Sequence, residues 1–208
     1  FAVQTKGTIE IGGENPAHIG GLVACMNSGM IQDSSTALDI IYRAGKGTGT
    51  DPQGGVYGIA HMVKGEEITN KPNKLIINTY ATGSITTYID TNLYAFADVA
   101  SYSIIRDCYT ITKLDWNEYT ASYSVPKGNI SAFGTQTFQV NLYDSFYDKN
   151  ALNIELEADE IGGENTTQNF FDNSFGDVDK SAKLNELDYD NSNFDYNFGY
   201  PTHKYGFM

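Results

Sequence analysis

Alternation with a period of two is the feature that most constrains this chain. In TFQVNLYDSFYDKNALNIELEAD, Phe138, Val140 and Leu142 alternate with polar residues, an Asp/Lys/Asn connection follows, and Leu152, Ile154 and Leu156 alternate again. Successive side chains of a strand point to opposite faces, so this pattern predicts two half-buried antiparallel strands. KLIINTYATGSITTYID carries the same signal. Leu75, Ile77, Thr79 and Ala81 share one face, Ile85, Thr87 and Ile89 another, and Thr82-Gly83-Ser84 reads as the turn of a hairpin. YTITKLDWNEYTASYSV predicts a further pair turning near Asp115–Asn117, while 92–105 fits strand or helix equally.

One helix is expected, over about 34–44. Asp33-Ser34-Ser35 offers N-cap residues, Leu38, Ile41 and Tyr42 form an apolar face, Asp39 sits four residues before Arg43, and Gly45 offers a C-terminal cap. Many strands, frequent turns and 21 glycines predict a mostly β fold, an antiparallel β-sandwich or jelly roll, with an up-and-down barrel as the second architecture. The division expected is an N-terminal arm at 1–13, a β-sandwich body at 14–160 and a C-terminal extension at 161–208.

Charge narrows the function. With 26 acidic and 13 basic residues the net charge is −13, which disfavours a nucleic-acid partner and an anionic membrane. No apolar run is long enough to span a bilayer. Residues 150–208 hold 12 acidic and 3 basic side chains, so this last part is a surface of a different kind. It is rich in Asn and Asp yet carries Phe170, Phe171, Phe175, Phe194, Tyr196 and Tyr200, a composition that asks to be pinned by packing.

Within it, Asp177, Asp179, Ser181, Asn185 and Asp188 fall at positions 1, 3, 5, 9 and 12 of a loop, and Lys183 at position 7 offers its backbone carbonyl. This resembles the calcium loop of EF-hand and dockerin modules, where hard oxygen donors converge on Ca²⁺. It departs from that pattern in Ala182 where Gly is usual and Asp188 where Glu is usual. The resemblance implies that Ca²⁺ orders the segment.

Nothing assembles a catalytic motif. His18, His61 and His203 are far apart, there is no HExxH or GxSxG, and Glu66-Glu67 reads as solvated charge beside Gly65. The Gly-rich loop 45–55 lacks the Walker spacing, since position 40 is Ile and position 47 is Gly. The chain is therefore expected not to be an enzyme. Cys25 and Cys108 are too few for a zinc site; they are a candidate disulfide closing a long loop outside the cell, or two buried thiols. Residue 1 is Phe, which fits a mature chain freed of a leader, exported to the cell surface, or a virion protein matured by proteolysis. In an exported protein, Asn129 and Asn165 fit the glycosylation acceptor pattern.

Ile-Gly-Gly-Glu-Asn occurs twice, at 11–15 and 161–165, each time ending an alternating run. In the first run Phe1, Val3, Thr5, Ile9 and Ile11 share a face, Gly7 allows close backbone approach, and Gly12-Gly13 hinges the strand away. A leading Phe followed by a Gly-Thr-Ile-Glu-Ile strand resembles the mature start of TasA/camelysin-type biofilm-fibre subunits and related archaeal bundling pili. Those are jelly-roll proteins whose first strand inserts into the next subunit. The resemblance implies an extracellular filament, pilus or tubule, homopolymeric, in which Phe1, Val3, Thr5, Gly7, Ile9 and Ile11 are donated to a neighbour's sheet edge. Two other readings fit the same residues: a virion tail-tube, capsid or decoration protein, and a calcium-dependent carbohydrate-binding or adhesive module with a tyrosine platform.

Overall fold

The computed structural model describes residues 3–13, 17–43, 54–62, 73–88, 91–98, 103–116, 130–133, 140–143, 145–147, 194–197 and 200–203. The first turn of the chain contains β1 (Gln4–Ile11), β2 (His18–Gly20), β3 (Val23–Met26) and β4 (Gly29–Gln32). The second contains β5 (Ser35–Tyr42), β6 (Gly55–Tyr57), β7 (Ala60–Met62) and β8 (Lys74–Ile77). The third contains β9 (Tyr80–Thr87), β10 (Asn92–Tyr94), β11 (Ala97–Asp98) and β12 (Ser103–Arg106). The fourth contains β13 (Tyr109–Thr110), β14 (Lys113–Trp116), β15 (Ile130–Ser131) and β16 (Val140–Tyr143), and β17 (Phe146–Tyr147) opens a fifth.

Each strand pairs with its counterpart one turn later, always in parallel. One sheet runs β1-β5-β9-β13-β17 with β14 also on β9; the others run β2-β6-β10-β15, β3-β7-β11 and β4-β8-β12-β16. The chain therefore winds as a parallel β-solenoid, each turn stacked on the last around a shared interior. The antiparallel sandwich or jelly roll expected from the alternation is wrong. Alternation reports that one face of a strand is buried, and a solenoid buries one face as a sandwich does. The expected hairpin at 75–89 is two strands of different sheets, and its supposed turn, Thr82-Gly83-Ser84, lies inside β9. The ambiguous stretch 92–105 contains β10, β11 and the start of β12. The only antiparallel pair among the described residues is β18 (Phe194–Asn197) with β19 (Tyr200–His203).

The expected helix at 34–44 is also replaced. Its residues form β5, flanked on both edges by β1 and β9. Thr36, Leu38, Ile40 and Tyr42 turn inward and are buried, while Ala37 and Asp39 are exposed. STALDIIY satisfies the helical spacing with three residues and the strand period with four. Its β-branched residues and two waiting edges decide for the strand.

Inward residues stack in columns. Ile9, Ile40, Ile85 and Leu114 form one, Ile19, Val56 and Leu93 another, and Ile31, Ile76 and Ile105 a third. Corners are stacked as well. Asp33, Asn78 and Asp107 all turn the chain toward the next turn's first strand, with φ of 51°, 54° and 54°. Asn and Asp tolerate this left-handed conformation better than other side-chain-bearing residues. Asn78 Nδ2 donates to Asp33 Oδ1 at 2.7 Å, tying two of these corners together. At the corner after β6, a Cβ on Gly58 would lie 2.1 Å from the Ala95 carbonyl oxygen, so only glycine admits the neighbouring turn there.

Candidate functional site

Two places in this coil carry features that packing alone does not require. The first is the end formed by the opening turn. Val3 and Ile11 carbonyls accept from the amides of Ser35 and Arg43, at 2.9 and 2.7 Å. In a parallel ladder both backbone groups of a residue face the same neighbour, so Val3, Thr5, Gly7, Ile9 and Ile11 bond toward β5. The N–H and C=O groups of Gln4, Lys6, Thr8 and Glu10 face the other way, where no strand of the described residues pairs with β1.

The interior of that turn is also less covered. Ile9, Ile11, Ile19, Leu22, Val23 and Ile31 are only partly buried, whereas Ile40, Tyr42, Val56, Ile59, Ala60 and Ile76, their equivalents one turn on, are buried. The two large apolar side chains that stand exposed among the described residues, Val3 at 48% and Met30 at 58%, belong to the same turn. Among the described residues, the exposed large apolar side chains thus lie on the opening turn.

Of the residues expected in the leading strand, Thr5, Gly7, Ile9 and Ile11 pair in register with β5 of their own chain, and the Val3 carbonyl accepts from the Ser35 amide. Thr5 Oγ1 also donates to the Gly21 carbonyl at 3.2 Å. Of the apolar face recognised in the sequence, Ile9 and Ile11 pack against this molecule's own core, while Val3 is exposed. Phe1 lies outside the described residues, as do all six residues of the calcium loop, Asp177, Asp179, Ser181, Lys183, Asn185 and Asp188, both candidate glycosylation asparagines, and the second Ile-Gly-Gly-Glu-Asn. Among the described residues no group of three His, Cys, Asp or Glu is placed to hold a metal ion.

The second place is a surface cluster on the first three turns. His18 on β2 and His61 on β7 stack face to face, with ring centroids 4.3 Å apart and planes within 5°. Tyr57 on β6 stacks on His61 at 5.0 Å and on Tyr94 of β10 at 5.3 Å. His18 Nδ1 is 2.8 Å from the Tyr57 hydroxyl. His61 Nδ1 is 3.2 Å from Asp98 Oδ2 on β11, close enough for an ion pair when His61 is protonated, though not aligned as a hydrogen bond. Burial pushes the His18 imidazole below its ordinary pKa, the neighbouring His61 adds to this, and Asp98 opposes it. Burial, then the Asp98 charge, pushes the Tyr57 phenol well above its ordinary range, so it stays a hydroxyl.

The sequence treated these histidines as isolated. They meet because β2 and β6 pair in register, with His18 opposite Gly55, and because the chain turns at Gly58 between Tyr57 and His61. Only the pairing of turns could have revealed this. Among the described residues, Tyr42, Tyr57, Tyr80, Tyr94, Tyr109 and Tyr147 are buried. Cys25 and Cys108 are both free thiols in this structure. Cys25 is exposed on β3, whereas Cys108 is buried and its Sγ donates to the Arg106 carbonyl at 3.1 Å. No helix of the described residues is long and apolar enough to cross a membrane. Compared with known protein families, with curated proteins and with solved structures, the chain finds no match.

Proposed function

We propose that this protein is a structural subunit of an extracellular filament, and that its copies add end to end along the axis of the coil. The observation that carries the reading is the opening turn, whose eight-residue strand edge no described strand covers, beside the exposed Val3 and Met30. A free edge is a template for another strand, and apolar side chains beside it give the contact a hydrophobic part. Among the described residues, β17, β16 and β15 are the last strands of their sheets at the other end, and they run parallel to the strands of the opening turn. Stacking one copy's opening turn on another copy's closing turn would continue every ladder in the same direction. Such a contact is heterologous and does not close, which is what a fibre needs. In this version β1 stays in its own molecule and accepts a strand, rather than leaving to be donated.

Two substitutions test it. Lys6→Pro removes an N–H that faces the open edge, a position where proline is tolerated in a strand. Met30→Glu places a charge on the exposed apolar surface. Each is a surface change expected to alter stability by no more than about 0.5 kcal/mol. Wild-type protein should sediment faster as concentration rises and show fibres by negative-stain microscopy, and both variants should remain monomeric with unchanged circular dichroism. Monodisperse wild-type protein at all concentrations, closed rings in place of fibres, or undiminished assembly of Lys6→Pro would each overturn the proposal.

A further inference from the structure

The stacked histidines join three successive turns of the coil. His18 belongs to the first turn, Tyr57 and His61 to the second, and Tyr94 and Asp98 to the third. The titratable groups that face them are Tyr57 on β6, Asp98 on β11, Tyr94 on β10, Cys25 on β3 and Tyr42 on β5. Among the described residues Asp98 is the one carboxylate in this set. It can balance one imidazolium charge and not two.

We propose that the His18–His61 stack is an acid-sensitive latch, holding the opening turn against the second turn when His18 is neutral and loosening it when His18 is protonated. Two features of the geometry produce this. Rings 4.3 Å apart and parallel within 5° attract as neutral aromatics and repel when both carry charge. The hydrogen bond at His18 also has a direction. Neutral His18 can accept at Nδ1 from the Tyr57 hydroxyl 2.8 Å away, whereas the protonated ring can only donate there. The hydroxyl hydrogen of Tyr57, whose side chain is buried, must then find another acceptor.

The sign follows from linkage. The folded-state pKa of His18 lies below the ordinary 6.5, so the unfolded or opened state binds more protons between the two values. The latch is intact above 6.5 and weakens as pH falls through that window. For one proton taken up on opening, the opening equilibrium grows by up to about tenfold per pH unit inside it. The device works within one copy and does not depend on assembly.

The test is amide hydrogen exchange together with NMR titration of the histidine ring protons, on the full chain at concentrations where it is monomeric. After correction for intrinsic rates, Gln4–Ile11 and His18–Gly20 should open more readily at pH 5 than at pH 7, and His18 should titrate below 6.5. His18→Phe keeps a stacking ring without a proton site and should abolish the pH dependence of those amides. Asp98→Asn removes the balancing charge and should steepen it. A His18 midpoint at or above 6.5, or the same acid-induced opening in His18→Phe, would refute the latch; the titration reads the wild-type protein and stands even if a variant misfolds.

Discussion

Ile85 is in contact register with Ile40 on one side and Leu114 on the other, and all three are buried. Ile9 ends the same column at the uncovered turn and is only partly buried. The same residue type therefore tests how much the next turn contributes. Truncating a buried Ile to Ala removes its transfer free energy and leaves a cavity, about 2–5 kcal/mol in all. Ile85→Ala is expected within that range, and Ile9→Ala below it, because Ile9 still meets solvent and the site can collapse. Urea denaturation of the two variants beside wild type reads the difference; equal losses would mean that the opening turn is as enclosed as the interior. Gly83 marks the opposite constraint. Its φ is +99°, and a Cβ there would lie 2.3 Å from the Leu38 carbonyl oxygen, so the turn-to-turn spacing leaves no room for any side chain.

At the scale of the element, β1 and β5 differ in one decisive way. Among the described strands, β5 is paired on both edges and β1 on one. Lys6 and Ala37 are register partners, and both side chains are exposed, so proline at either position brings no interior clash. The Ala37 amide faces β1, because Ser35 and Arg43, two residues and six residues away along the same strand, donate to Val3 and Ile11. Ala37→Pro should cost about 1–3 kcal/mol or more through the lost ladder bond, while Lys6→Pro should leave the melting temperature nearly unchanged. Equal effects would show that β1 has a second partner. The same distinction explains what the sequence disclosed. Period-two runs marked residues of β1, β8, β9 and β16 as strand, since alternation is local. Partner choice is not local. Successive turns carry Gln4 to Ser35, Tyr80, Tyr109 and Phe146, at unequal intervals, so no constant repeat reveals the stacking. Neighbouring strands in sequence then look like hairpins. The histidine cluster stayed hidden for the same reason: His18 and His61 become neighbours only after β2, β6 and β7 take their places.

At the scale of the whole molecule, a solenoid's stability is close to a sum of turn-to-turn contacts, and its ends are where that sum is incomplete. In the proposed fibre another copy would supply the missing contact, but charge would oppose it. Each chain carries a net −13, so two copies repel before their edges meet. The strand edge and Met30 act at short range and are little affected by salt, whereas the repulsion between exposed charges is screened. The Debye length shortens from about 30 Å at 0.01 M to about 8 Å at 0.15 M ionic strength. Association should therefore strengthen as NaCl is raised across that interval at pH 7.5, seen as a shift of the sedimentation distribution to larger species. Lys6→Pro, with its edge blocked, should stay monomeric at both salt concentrations; its one positive charge fewer adds to the repulsion, so the higher salt, where that repulsion is screened, is the condition that reads the blocked edge. Association that weakens with salt would mean that opposite charges, not apolar side chains and backbone pairing, hold the copies together, and the end-to-end contact would have to be abandoned.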